Sequence, residues 1–222
     1  MNTVKRLLTG VAGLLVCLSA LAEDVQLPNK SPELAATAQE QLGTLADDVG
    51  LAKGSVVSDF SVKNIEGEKV DWTTLKNDAP LLVVFYRGGW CPYCNVQIRQ
   101  LTEAWPEFEK RGVTPILISA DKPDAAALAA RTYEIPFPVL SDPDLNAHDA
   151  FNVTMELPEH LVPVYKDYGI VVEDWNGAGH RKFAVSSAFI VDGKGAVLWA
   201  NSSLDYKTRP SPQQLLQVID QL

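Results

Sequence analysis

The sequence predicts an α/β sandwich built around parallel strands, and three features predict it. The run LLVVFY, residues 81–86, is continuously apolar and bounded by turn residues, as in a strand covered on both faces. Apolar residues then fall at Cys94, Ile98, Leu101, Trp105 and Phe108, a four-three spacing that draws one stripe along a helix. The alternation repeats afterwards: TPILIS as a strand, a helix from Asp124 to about Arg131, FPVL as a short strand and LNAHDAF as a helix.

Taken in order, the chain opens with MNTVKR, the apolar LLTGVAGLLVCLSA and Ala20-Leu21-Ala22. A charged head, a short apolar middle and a small-x-small end make a secretory signal peptide, so residues 1–22 are set apart and export, to the periplasm, is expected. The apolar stretch is shorter than the roughly 20 residues that cross a bilayer, and no later segment is long and apolar enough, so no membrane span is expected. A lipid anchor on Cys17 is disfavoured because Val16 stands where Gly or Ala is usual, and cleavage after Ala22 would remove Cys17.

Residues 23–51 form a leader to the main domain, 52–222. Within it SPELAATAQEQLGTLADDVG, residues 31–50, has Ser31 as a candidate N-cap, Pro32 at the first helical position and Gly50 as a stop, which predicts a helix packed beside the domain. VVSDFSV, a turn at Glu66-Gly67 and EKVDW read as a hairpin at a sheet edge. Pro106, which lacks an N–H, is expected to kink the helix that follows the cysteines. SAFIVDGKGAVLWA reads as two strands joined at Asp192-Gly193-Lys194-Gly195, and PSPQQLLQVIDQL as a closing helix. Between them, residues 154–184 read as one long irregular segment, a length at which loops are often functional.

The formal net charge of -9 becomes -11 once Lys5 and Arg6 leave with the signal segment, which argues against nucleic acid as a partner. An acidic surface also repels anionic lipid and phosphate without naming a substrate. At 46% hydrophobic content, about 200 residues suit one domain with a full core that needs no disulfide staples.

The chemistry lies in YRGGWCPYC, residues 86–94. Structural zinc wants four nitrogen or sulfur ligands, and beyond this pair the mature chain offers only His148, His160 and His180, with no ligand-like spacing. A purely structural disulfide closing so short a loop would constrain the unfolded chain far less than the usual ~2–4 kcal/mol case. Redox chemistry has a direct basis. A buried strand ends and a helix starts here, with Pro92 at the first helical position and Cys91 at the N-cap, where free N–H groups favour thiolate. Cys91 is expected to be the more exposed sulfur and Cys94, on the apolar stripe, the more buried. Arg87 either lends a fixed positive charge that lowers a thiol pKa or is a solvated surface residue; Trp90 either shields the sulfurs or simply packs.

FYRGGWCPYCNVQIRQL, FPVLSDPDLNAHDAF, AFIVDGKGAVLWA and LDYKTRP before a helix together resemble the peroxiredoxin-like branch of the AhpC/TSA superfamily, from about Gly54 to the C-terminus. The resemblance implies a thioredoxin-like sandwich: a central mixed sheet with helices on both faces and an N-terminal hairpin extension. The family's Pro-x-x-x-Thr-x-x-Cys pattern puts Arg87 in the proline slot, Cys91 in the threonine slot and Cys94 in the peroxidatic slot. The Trp-Cys-x-x-Cys of thioredoxins, whose first cysteine attacks, fits Trp90, Cys91 and Cys94 equally. Ser186, three residues before Phe189, stands where a cis-proline or an arginine is usual, and Arg209 is a candidate substitute for that arginine.

The resemblance implies three functions. The first is a thiol peroxidase in which Cys94 attacks a hydroperoxide and Cys91 condenses with the sulfenic acid, an external dithiol such as a thioredoxin-like protein restoring the pair. The second is a thiol-disulfide oxidoreductase in which Cys91 attacks a protein disulfide and Cys94 resolves it. The third is a copper-binding chaperone on the same fold, disfavoured because such proteins space their cysteines one residue further apart and add a distant histidine. No cofactor is expected.

Overall fold

A computed structural model describes residues 32–76 and 79–222. The signal segment, Cys17 and Ser31 lie outside the described residues. In chain order the elements are β1 (Ala35–Ala36), a 3-10 turn (Gln39–Gln41), β2 (Ser61–Lys63), β3 (Lys69–Asp71), α1 (Trp72–Leu75), β4 (Leu81–Phe85), α2 (Pro92–Lys110), β5 (Thr114–Ser119) and α3 (Pro123–Thr132). There follow β6 (Val139–Ser141), α4 (Asn146–Ala150), β7 (Thr154–Glu156), a 3-10 turn (Glu159–Leu161), α5 (Val162–Asp167), α6 (Val172–Asn176), β8 (Lys182–Ala184), β9 (Ser186–Val191), β10 (Val197–Ser203), β11 (Thr208–Arg209) and α7 (Pro212–Ile219).

Seven strands form the central sheet in the order β10-β9-β4-β5-β6-β2-β3. The β4·β5 and β5·β6 pairs are parallel; β9 joins β4, and β10 joins β9, antiparallel. The expected edge hairpin is β2·β3, with Ser61 opposite Asp71. Strand β4 is buried along its whole length, and alternate residues feed the two faces. Leu82, Val84 and Tyr86 pack with Cys91, Cys94, Ile98, Leu101 and Phe108 of α2, while Leu81, Val83 and Phe85 pack with Trp72, Phe151 and Phe189. The predicted stripe of α2 is thus the face that meets the sheet, and the helix continues through Pro106 to Lys110.

Two expectations are corrected. Residues 32–50 are not helical: they hold only β1 and a 3-10 turn, and thread along the domain by backbone bonds. Gly43 and Gly50 adopt positive φ, as do Asp47 and Asp48, so the segment cannot wind continuously. Its amides bind the domain instead, Gly43 N–H to Asn201 Oδ1 (2.9 Å), Ala46 N–H to Ser202 Oγ (2.8 Å) and Gly50 N–H to Asn152 O (2.7 Å). Alanine-rich propensity without an apolar stripe is too weak to hold a helix against such partners. Residues 154–184 are not irregular: β7 and β8 pair antiparallel and enclose α5 and α6.

Candidate active site

Where β4 ends, Tyr86 and Arg87 lead through Gly88, Gly89 and Trp90 to Cys91, which caps α2. Gly88 has φ +147°, and a Cβ there would lie 2.8 Å from Asp121 Oδ1 and run into the Trp90 indole. The next residue anchors the loop twice: Gly89 N–H donates to Asp121 Oδ2 (2.8 Å), and Gly89 O accepts from Asn95 Nδ2 (2.9 Å). The Trp175 ring of α6 rests on Gly89, where an added Cβ would come within 3.0 Å of it.

Both cysteines are buried, Cys91 at 1% and Cys94 at 0% exposure, so the difference in exposure expected between them is negligible. Its Sγ takes no N–H from the first turn of α2. The donors converge on Cys94 instead. Arg87 N–H reaches Cys94 Sγ at 3.4 Å and Arg209 Nη2 reaches it at 3.3 Å. Burial pushes the Cys94 thiol up, but the hydrogen bond from Cys91, the charges of Arg209 and Arg87 and the Arg87 N–H outweigh it, and its pKa is held down to about 5. Cys91 moves the other way, raised by donating to Cys94, by burial and by the Cys94 charge, against the pull of Arg87 and Arg209. The Cys91 hydrogen bond, the two arginine charges and the Arg87 amide all favour thiolate at the second cysteine rather than at the helix N-cap.

Arg87 is buried rather than solvated. Its Nη1 lies 3.8 Å from Cys91 Sγ and its Nη2 donates to the Tyr165 hydroxyl. Aromatic rings box the guanidinium: Tyr206 at 4.4 Å, Trp90 and Phe183 each at 4.9 Å, and Tyr165 at 5.9 Å. Trp90 meets Tyr165 and Phe183 edge-on and packs in the same buried cluster as both cysteines. Tyr165 and Phe183 come from residues 154–184, which gives that segment its place over the site.

Arg209 is the residue that the resemblance could name but the sequence could not place. The residue is 2% exposed, with Nη2 shared between Cys94 Sγ and Tyr206 O (3.0 Å). Its Nε and Nη1 are buried without a hydrogen-bond partner among the described residues. Asp121 was missed altogether. Burial, and to a lesser extent the Cys94 charge, pushes its carboxyl up to about 7 against the Gly89 and Ser119 hydrogen bonds. The signal for it was positional: it follows β5, the parallel neighbour of β4, at the end of the sheet where ligands and chemistry gather. Ser186 begins β9 as a buried residue whose hydroxyl has no partner among the described residues. Among the described residues no group of three or more His, Cys, Asp or Glu is placed to hold a metal ion.

The profile of the AhpC/TSA family matches residues 54–200. The chain belongs to the AhpC/TSA family. Among curated AhpC/TSA-like relatives, a chloroplastic peroxiredoxin Q from Gentiana triflora is 34% identical over 92 residues, covering 41% of this chain and 42% of that protein. The thiol-disulfide oxidoreductase ResA of Bacillus cereus (strain ZK / E33L) is 29% identical over 101 residues, covering 45% and 57%. The chain spans about half the length of the curated relatives it matches. A crystal structure of peroxidoxin BcpB from Mycobacterium tuberculosis superposes with a TM-score of 0.60 at 20% identity, over 78% of this chain and 98% of that one, which shows the thioredoxin-like peroxiredoxin fold. Arg209 and the leader both lie outside the AhpC/TSA match.

Proposed function

We propose that this chain is a thiol-dependent peroxidase whose attacking group is the Cys94 thiolate and whose resolving group is Cys91. The observation that carries it is the set of donors on one buried sulfur: Arg209 Nη2, the Arg87 N–H and the Cys91 thiol all point at Cys94. A thiolate held at about 5 is fully formed at neutral pH. In the reaction Cys94 Sγ attacks one oxygen of ROOH, the O–O bond breaks, and the leaving alkoxide takes a proton from water to give ROH. The Cys94 sulfenic acid then meets Cys91 Sγ; the S–S bond forms and the Cys91 proton leaves with the hydroxyl as water. An external dithiol, such as a thioredoxin-like protein, returns two electrons and two protons. The spare Arg209 donors suit the oxygen on which charge develops. One helical turn joins the sulfurs, so resolution needs no large rearrangement.

The expected result is dithiol-dependent loss of hydrogen peroxide or an organic hydroperoxide, abolished by Cys94→Ser. Turnover no faster than that of a free thiol sinks the proposal. The ResA relative and the Trp-Cys-x-x-Cys run favour a second reading, disulfide exchange through Cys91. The direction of the Cys91 shift opposes it, because a raised thiol is a poor attacking group at neutral pH. Trapping decides between them: a mixed disulfide of Cys91 with a partner protein in Cys94→Ser supports exchange, and its absence with loss of peroxide turnover supports the peroxidase. The signal-like N-terminal stretch supports a periplasmic site of action, checked by fractionating cells that express the full chain.

A further inference from the structure

Two stretches outside the family match pair with each other, and one of them carries the arginine that reaches Cys94. Strand β11 carries Arg209, and the one strand it pairs with among the described residues is β1 of the leader, in parallel, with Ala35 opposite Thr208 and Ala36 opposite Arg209. Ala35 N–H donates to Lys207 O (3.0 Å) and Thr37 N–H donates to Arg209 O (2.8 Å). Thr37 is buried, and its own carbonyl accepts from Gln214 Nε2 (2.7 Å). Gln214 is itself fixed by the capping box it forms with Ser211 at the start of α7. The far end of the leader is fastened to β10, where Ser202 N–H donates to Thr44 O (3.0 Å) beside the Asn201 and Ser202 side-chain bonds.

The Arg209 guanidinium has reason to leave its place. It is a buried cation with Nε and Nη1 unpartnered, and both would gain hydration by swinging into water. What opposes this is the pair of Nη2 contacts, to Cys94 Sγ and Tyr206 O, and the backbone of β11 that sets their geometry, and a two-residue strand has little hold unless it is paired.

We propose that the leader strand Ala35–Ala36 with Thr37 is a positioning strap that holds Arg209 on Cys94, so that the sulfur's reactivity depends on a segment remote from it in sequence. The strap touches neither cysteine; it acts through the Arg209 backbone. This rests on Cys94 being the reactive thiolate. Release of the strap, by substitution or by a partner that pulls the leader away, would then lower thiolate content without altering the cysteines.

The test is a thiolate titration of the reduced full chain by ultraviolet absorbance, with circular dichroism to confirm the fold. Thr37→Pro removes the N–H bonded to Arg209 O and should lower the Cys94 acid dissociation constant about tenfold, the effect of losing one nearby opposite charge. Gln214→Glu keeps the capping box but sets an oxygen against Thr37 O, and should act in the same direction; it decides the matter should Thr37→Pro not fold. Arg209→Gln is the reference, and Thr37→Pro combined with Arg209→Gln should titrate like Arg209→Gln alone, because both act through one contact. Folded strap variants that titrate like the unaltered chain, or a Thr37→Pro effect that adds in full to Arg209→Gln, would overturn the strap. An unaltered chain whose Cys94 titrates as an ordinary thiol would instead overturn the peroxidase reading.

Discussion

Cys91 and Cys94 were legible from their spacing after a buried strand, but their division of labour was not. Sequence logic credits the helix start, which favours the N-cap Cys91. The structure sets against it an arginine 115 positions from Cys94, which no local pattern contains. Arg87 could be named as a neighbour, yet its burial depends on rings from two other segments, Tyr165 with Phe183 and Tyr206. At this scale the glycines before Trp90 are the sharpest test of the loop. Gly88→Ala combines positive φ with a Cβ against Asp121 and Trp90, whereas Gly112, at φ +67°, has open space around its missing Cβ. Gly112→Ala should cost about 1–2 kcal/mol of unfolding free energy, the ordinary penalty of a left-handed residue. Gly88→Ala should cost clearly more, by about another 1–3 kcal/mol for displaced neighbours. Equal denaturation midpoints for the two variants would mean that the loop yields freely.

Elements whose apolar pattern is strong were read correctly: β4, α2, β5, α3, the edge hairpin and the β9·β10 pair lie where periodicity puts them. The misread elements are those whose partners are distant. The leader read as a helix from its cap and stop residues, and its backbone binds β10 and β11 instead. Residues 154–184 lack a periodic stripe because α5 and α6 are short and cover a site rather than a sheet. Their position argues that they govern access. With Trp175 on Gly89 and Tyr165 on Arg87, a reagent cannot reach buried sulfurs unless this cover moves. Trp175→Ala should therefore speed alkylation of the reduced cysteines several-fold for a bulky maleimide and less for iodoacetamide. The Cys94 thiolate titration should stay unchanged, because Trp175 donates nothing to the sulfur. Equal acceleration for both reagents would point to general loosening instead of an opened cover.

For the whole molecule, two buried groups of one site make opposite demands on stability as pH changes. Cys94 is held to about 5 in the folded chain and returns to roughly 8.5 when unfolded, so the reduced protein gains stability as pH rises through that interval. Asp121 is pushed up to about 7 and returns to roughly 3.9, so the folded chain holds the extra proton and stability falls as pH rises from about 4 to about 7. Between pH 5 and 7 the slopes oppose each other. Reduced protein should therefore show a nearly flat contribution from this pair there, followed by a rise above pH 7. Asp121→Asn can keep the acceptor for Gly89 N–H but loses the titration, so its reduced form should gain stability steadily from pH 5, by up to about 1.4 kcal/mol per pH unit relative to the unaltered chain. In the disulfide form the Cys94 titration and its charge on Asp121 are both gone, but burial still raises the Asp121 carboxyl, so the unaltered chain should lose stability as pH rises above about 4 where Asp121→Asn does not. Exposed carboxylates such as Asp71 and Asp220 titrate alike in both proteins and cancel in the difference. Urea unfolding at pH 5, 6, 7 and 8 in both redox states reads these slopes. Parallel curves for the two proteins would show that Asp121 does not hold its proton in the folded state and that the acid beneath the cysteine loop is electrostatically silent.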